Sequence, residues 1–255
     1  LINKLGIILK KLIFFLRDQG VVVTVIKTYE YLSFKIIEKK NKRTKPLLIL
    51  KDDITVITNF KGVSLMVAGK FITNSVGFYS AIKNLEKWHD STQAEFKFVK
   101  KSNSLIIQEW WWNLPLKYNW IFTLKENSII WKGSIVIENC IMVEEMKVGL
   151  IVNNIYDSLI LDQKILGLTK KNFQWQETTN IKRDSLLTLG VKDNPLNFPN
   201  IQFNVVNSLY PCKTIVQNTD NYLNGRLLQA VMEGETEYLP GKYDIFELEI
   251  SIIKK

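Results

Sequence analysis

Leu105-Ile-Ile-Gln-Glu-Trp-Trp-Trp-Asn-Leu-Pro-Leu-Lys-Tyr-Asn-Trp-Ile-Phe-Thr-Leu-Lys-Glu-Asn-Ser-Ile-Ile-Trp131 decides the fold. It holds five of the seven tryptophans, Trp110, Trp111, Trp112, Trp120 and Trp131. Both halves are rich in aromatic and β-branched residues and read as β-strands. Asn113-Leu-Pro115 separates them, because Pro115 lacks a ladder donor and fixes its own φ. Beyond it, Tyr118, Trp120, Phe122 and Leu124 alternate with Asn119, Ile121 and Thr123, so a period of two sends them to one face. Lys125-Glu-Asn-Ser128 then turns the chain into Ile129-Ile-Trp131. The pattern is a β-meander loaded with aromatic side chains.

Working outward, the same period recurs. Leu47–Leu50, Ile54–Ile57 and Val63–Val67 read as short strands about ten residues apart, which favours antiparallel β structure over βαβ units. The sequence predicts a loop over 68–77 and a helical turn within 78–88, then a strand over Ala94–Phe98. Gly133–Ile137 and a long Ile141–Val152 continue as strands. Phe173–Trp175, Ser185–Leu189, Ile201–Val205, Thr214–Val216, Tyr222–Met232 and Asp244–Ile253 complete the set, with 235–242 as a connection. The last strand sets Phe246, Leu248, Ile250 and Ile252 against Glu247, Glu249 and Ser251, so one side of its sheet is wet.

Residues 1–40 have a different period. Leu5, Ile8, Leu9, Leu12, Ile13 and Leu16 recur at helical spacing, with Gly20 as a C-terminal cap. Val22, Val25, Ile26, Tyr29, Leu32 and Ile36 form a second stripe. The formal charge of +9 is concentrated here. Residues 1–45 carry eleven lysines and arginines against Asp18, Glu30 and Glu38, a balance of +8. This basic segment either packs its apolar stripe on the following domain or lies peripherally on an anionic membrane. The remaining residues are near neutral and carry no nucleic-acid footprint.

The expected architecture is therefore all-β: a large antiparallel β-sandwich over 45–255, preceded by a short basic amphipathic helical linker over 1–44. A chain of 255 residues supports such a core. No apolar run reaches the roughly 18 residues needed to cross a bilayer, and no signal peptide is recognised, so cytoplasmic residence is expected, with membrane association through residues 1–45 as an addition. Leu1 is not an initiator methionine, which suggests a segment of something longer, with a glycosyltransferase or other domain preceding it. Of the two cysteines, Cys140 reads as a buried small hydrophobe and a pairing with Cys212 is not called for.

Catalytic signals are few. The single histidine, His89, excludes a histidine-based metal site, and no phosphate-binding loop, dinucleotide fingerprint or nucleophile elbow occurs. No metal and no cofactor is expected. Asp52-Asp53 and Glu144-Glu145 are adjacent pairs that point to opposite faces of a strand. His89 lies in a polar run, Trp88-His-Asp-Ser-Thr92, and is a candidate base or hydroxyl contact. Trp120 and Trp131 are assigned to the core. Three consecutive tryptophans cannot share one face: Trp110 and Trp112 go one way and Trp111 the other. The indoles facing away from the core form either a second buried layer or an exposed platform for sugar rings. In the latter case Glu109, Asn113 and Tyr118 stand near enough to bond hydroxyls.

Gly77-Phe-Tyr-Ser80, Trp88-His-Asp-Ser-Thr-Gln-Ala94, Trp112-Asn-Leu-Pro-Leu116, Trp120, Ile130-Trp131, Val143-Glu-Glu to Tyr156, Arg226 and Pro240-Gly-Lys-Tyr243 together resemble the β-supersandwich domains of the galactose mutarotase-like superfamily. The resemblance covers 45–255 and is greatest to domains attached to microbial surface-polysaccharide biosynthesis proteins. It implies a large antiparallel sandwich with a concave, carbohydrate-facing sheet. The mutarotase catalytic pattern needs more histidine than this chain has, which favours binding of an oligo- or polysaccharide. The alternatives are a lyase or epimerase using His89, Tyr118 or Tyr156 as base with Arg226 binding an acidic sugar, and a scaffold that docks a glycosyltransferase or a membrane.

Overall fold

The computed structural model describes residues 28–29, 31–161, 164–168, 176–177, 186–219 and 223–254. Two sheets face one another across a single apolar interior. The first runs, in spatial order, Leu48–Lys51, Ile54–Asn59, Gly62–Val67, Thr73–Asn84, Ile141–Asn153, Gly225–Tyr238, Lys213–Asn218 and Gln176–Glu177. Lys70–Phe71 and Lys87–Asp90 add short hairpin partners to it. The second runs Lys164–Gly167, Ser158–Leu161, Leu187–Gly190, Asn200–Ser208, Gly241–Ile253, Ser128–Ile137, Leu116–Leu124, Ser104–Trp111 and Glu95–Lys101. Pairing is antiparallel throughout the described strands, except where Gly62–Val67 meets Thr73–Asn84 in parallel at Val63 and Gly77.

The tryptophan meander sits in the second sheet as expected. Leu105, Ile107, Glu109 and Trp111, then Leu116, Tyr118, Trp120, Phe122 and Leu124, all turn inward, while the residues alternating with them along each strand stay partly or fully exposed. The interior aromatic cluster joins the two layers. From the first sheet Phe78 packs against Phe122 and Trp131 at centroid distances of 4.5 and 5.1 Å. Trp131 in turn meets Trp120 at 5.2 Å and Phe246 at 4.8 Å. Rings at these separations and steep angles add to the burial of their own area.

Three expectations change. Residues 73–84 form one continuous strand rather than a loop and a helical turn. This strand lies mid-sheet with both faces covered, so Val76 to Ile82 are all buried and the alternation that marks a half-buried strand is erased. Leu85 and Glu86, both at positive φ, close its hairpin onto Lys87–Asp90 without a glycine. The strand expected to end near Met232 continues to Tyr238, and the partner begins at Gly241. Cys140 is exposed, in the turn after Ser128–Ile137, and its thiol donates to Glu237 Oε1 at 3.1 Å. It is not joined to Cys212.

Of the N-terminal segment, the described residues are helical at 28–29 and over 31–41, with a turn following. The stripe from Leu5 to Leu16, the Gly20 cap and Val22 to Ile26 lie outside the described residues, as does the Phe173–Trp175 strand. The helix is pinned by Ile37, which is buried, and by Asn41. The Asn41 amide donates to Ala94 O at 3.0 Å and accepts the Phe96 N–H at 3.1 Å, so it caps the edge strand that begins at Glu95. Among the described residues no helix is long and apolar enough to cross a membrane.

Candidate functional site: a tryptophan-lined groove

The hairpin register sets the outer face at one end of the second sheet. Trp110 pairs with Glu95 on one side and with Lys117 on the other. Directly opposed residues share a face, so an acid, an indole and a base stand in one row across three strands. The chain then leaves the strand. Leu114 N–H returns to Trp111 O at 3.1 Å, and Pro115 O accepts Glu138 N–H at 2.8 Å, which fixes the following turn and brings Glu138 alongside. Trp112, half exposed at 50%, projects from that turn.

Together these residues line a groove of about 450 Å³, with Glu95, Trp110, Trp111, Trp112, Leu114, Leu116, Lys117 and Glu138 as its walls. Two ion pairs bracket it. Lys117 Nζ lies 2.6 Å from Glu138 Oε1, and Lys40 Nζ, from the helix, lies 2.8 Å from Glu95 Oε2. The same Lys40 ammonium sits 4.9 Å from the centroid of the Trp112 ring. Being exposed, these pairs contribute little to stability, but they fix charged donors and acceptors around flat apolar surface.

The expected site residues divide. Trp110 and Trp112 do face away from the core, and Asn113 is exposed in the turn beside them. Trp111 faces the interior, stacks on Tyr118 at 6.1 Å and reaches the groove from beneath. Glu109 and Tyr118, expected to meet sugar hydroxyls, are completely buried on the inner face. They share the parity of Leu105, Ile107 and Trp120, and the period of two overrides their polarity. Glu109 Oε2 accepts the Trp111 indole N–H at 3.0 Å, and its other oxygen is buried with no hydrogen-bond partner among the described residues. Burial holds the Glu109 carboxyl well above the usual range, and the nearby Asp90 charge pushes the same way, against the Trp111 hydrogen bond. Burial likewise raises the Tyr118 phenol, whose O–H contacts Met146 Sδ at 3.6 Å.

His89 is buried on Lys87–Asp90, opposite Ile82, and does not line the groove. Its neighbour Asp90 accepts the Thr92 backbone N–H at 2.8 Å and is raised by burial. Arg226 is wholly buried, donating from Nε to Tyr156 O and from Nη1 to Asn218 Oδ1. Tyr156 spends its own O–H on Pro199 O at 3.0 Å, and burial raises its pKa. His89, Tyr118, Tyr156 and Arg226 therefore all belong to the interior. Lys40, Glu95, Lys117 and Glu138 were not singled out from the sequence. Of these, Lys117 is recoverable by pairing Trp110 across a hairpin centred on Asn113-Leu114. Among the described residues no group of three or more potential ligands is placed to hold a metal ion.

No family model matches the chain, and no curated protein matches it in sequence. Solved structures do match in fold. A galactose mutarotase related enzyme from Lactobacillus acidophilus superposes with a TM-score of 0.51 at 11% identity, over 82% of this chain and 97% of that one. A galactose mutarotase-like protein from Lactobacillus casei gives 0.50 at 8% identity, over 82% and 100%. The α-N-acetylgalactosaminidase NagBb of Bifidobacterium bifidum gives 0.55 at 4% identity over 82% of this chain but only 36% of its own. At such identities the likeness is one of architecture: the two facing sheets form a galactose mutarotase-like β-sandwich.

Proposed function

We propose that this chain is a carbohydrate-recognition domain that receives an oligo- or polysaccharide in the groove over Trp110 and Trp112, in the service of surface-polysaccharide assembly or modification. One observation carries the reading: strand parity and the Asn113 turn leave two indoles outside the core, beside two carboxylates and two lysines, in a groove of about 450 Å³. Sugar rings have apolar faces that stack on indoles, and hydroxyls that bond in the ring plane to carboxylates and ammonium groups. The volume falls within the range of small-ligand sites. Several solved structures of this fold are of proteins named for galactose chemistry or N-acetylgalactosamine release, which supports saccharides as the ligand class.

The candidate acid–base residues are buried away from the groove, which favours binding over turnover there. Titration of the full chain with a glycan panel, by array and then calorimetry, tests the proposal. Saturable binding that falls about tenfold or more in Trp112→Ala and in Trp110→Ala is expected. Absence of saturable binding, or affinities that both variants leave unchanged, overturns it.

A further inference from the structure

The helix over 31–41 is clothed differently on its two sides. Ile37 and Asn41, each 3% exposed, hold it to the sandwich. On the side turned away, Leu32, Ile36, Lys39 and Arg43 follow one another at i, i+4, i+7 and i+11, a single stripe along the helix and into the turn after it. Tyr29, Leu32 and Ile36 are 62%, 55% and 53% exposed, more than an amphipathic helix docked by its apolar face would leave in water. The one acid in the described helix, Glu38, is already engaged by Lys35 at 2.9 Å and Lys42 at 2.6 Å, which hold its carboxyl down at about 2. Among the described residues Lys39 and Arg43 form no ion pair, so the outward stripe carries uncompensated positive charge next to exposed aliphatic groups.

From this arrangement we infer that the helix seats the protein on an anionic bilayer, with Leu32 and Ile36 entering the headgroup–acyl boundary and Lys39 and Arg43 meeting lipid phosphates. Mixed aliphatic and cationic side chains on one face are what an interfacial helix requires: apolar area supplies depth, and each cation near a negatively charged surface adds attraction. Long basic side chains reach the phosphate plane while their methylenes stay in the apolar layer. Nucleic acid would engage the cations but gain nothing from Leu32 and Ile36. A second copy would bring its own Lys39 and Arg43 into the same contact, adding positive charge with no acid on either stripe to offset it. The basic balance of +8 over residues 1–45 extends the same charge complementarity along the chain.

The test is co-sedimentation of the full chain with vesicles of phosphatidylcholine alone and of equimolar phosphatidylcholine and phosphatidylglycerol. Binding to the anionic vesicles alone, weakened by salt, is expected. Leu32→Glu/Ile36→Glu and Lys39→Glu/Arg43→Glu should each lower the partition coefficient about tenfold or more. Unchanged melting of both variants and retained saccharide titration establish that they fold, and keep this result separate from that of the groove. Wild-type protein remaining in the supernatant overturns the inference. So does equal binding by the variants, which would assign the contact to another face. Concentration-dependent dimerisation abolished by Leu32→Glu/Ile36→Glu would give the stripe to a second copy instead.

Discussion

Glu109 and Trp111 lie two residues apart on one strand, and inside the sandwich the indole N–H of the second donates to the carboxyl of the first at 3.0 Å. The floor of the groove is thus tied to an ionisable group with no access to water.

That tie has a pH signature. Burial keeps the Glu109 carboxyl protonated well above 4.5, so the folded chain holds a proton that the unfolded chain releases above that value. Stability attributable to this group therefore falls as pH rises from about 4.5 towards the folded-state pKa, and no such loss applies below that window. Glu109→Gln keeps the shape and removes the ionisation. Its stability relative to wild type should increase from pH 4 to pH 8 in paired urea melts, each value read as a difference at about the same temperature. A difference that stays constant across that range contradicts the assignment.

The tryptophans should separate by role. Trp120 is fully buried between the sheets, and Trp120→Ala should cost about 3–5 kcal/mol of stability in denaturant unfolding. Trp112 is half exposed, and Trp112→Ala should stay within about 1 kcal/mol while saccharide binding is lost. Equal destabilisation by the two would place Trp112 in the structural framework.

Arg226 behaves as a structural clamp. It ties the carbonyl of Tyr156 to the side chain of Asn218, and burial lowers its pKa against the opposing influence of Asp157. Arg226→Ala removes a buried donor from both acceptors and should cost about 3–5 kcal/mol, measured by chemical denaturation. Arg226→Lys should recover little, because a single ammonium cannot reproduce the planar fork.

Gly77 is held at φ +68°, and a Cβ there would stand 1.9 Å from Val63 O, on the neighbouring strand. Gly77→Ala should lower stability by about 2 kcal/mol or more, whereas Gly69→Ala, at φ +75° but in open space, should lose less. Thermal melts of the pair distinguish crowding from backbone strain.

The legible parts of the sequence were those wet on one side. Tyr118 to Leu124 alternates because only one face of that strand is buried, and the all-β sandwich follows from such segments. Val76 to Ile82 could not be read in the same way, since covering both faces removes the contrast that betrays a strand. The Leu85-Glu86 turn was hidden because neither residue advertises positive φ. At the site, alternation alone separated Trp110 and Trp112 from Trp111. Glu109 and Tyr118 were misplaced because polarity was allowed to outweigh parity. Lys40 and Glu95 meet only through tertiary packing, 55 positions apart, and nothing local in either segment announces the contact.

Among the described residues, Val63 opposite Gly77 is the only parallel rung in the first sheet. The strands from Leu48 to Phe71 consequently hang from the central strand along a seam, without the dense ladder that joins Thr73–Asn84 to Ile141–Asn153. Amide protons on the Leu48–Phe71 side of that seam should exchange as a group, through an opening that leaves the tryptophan meander closed.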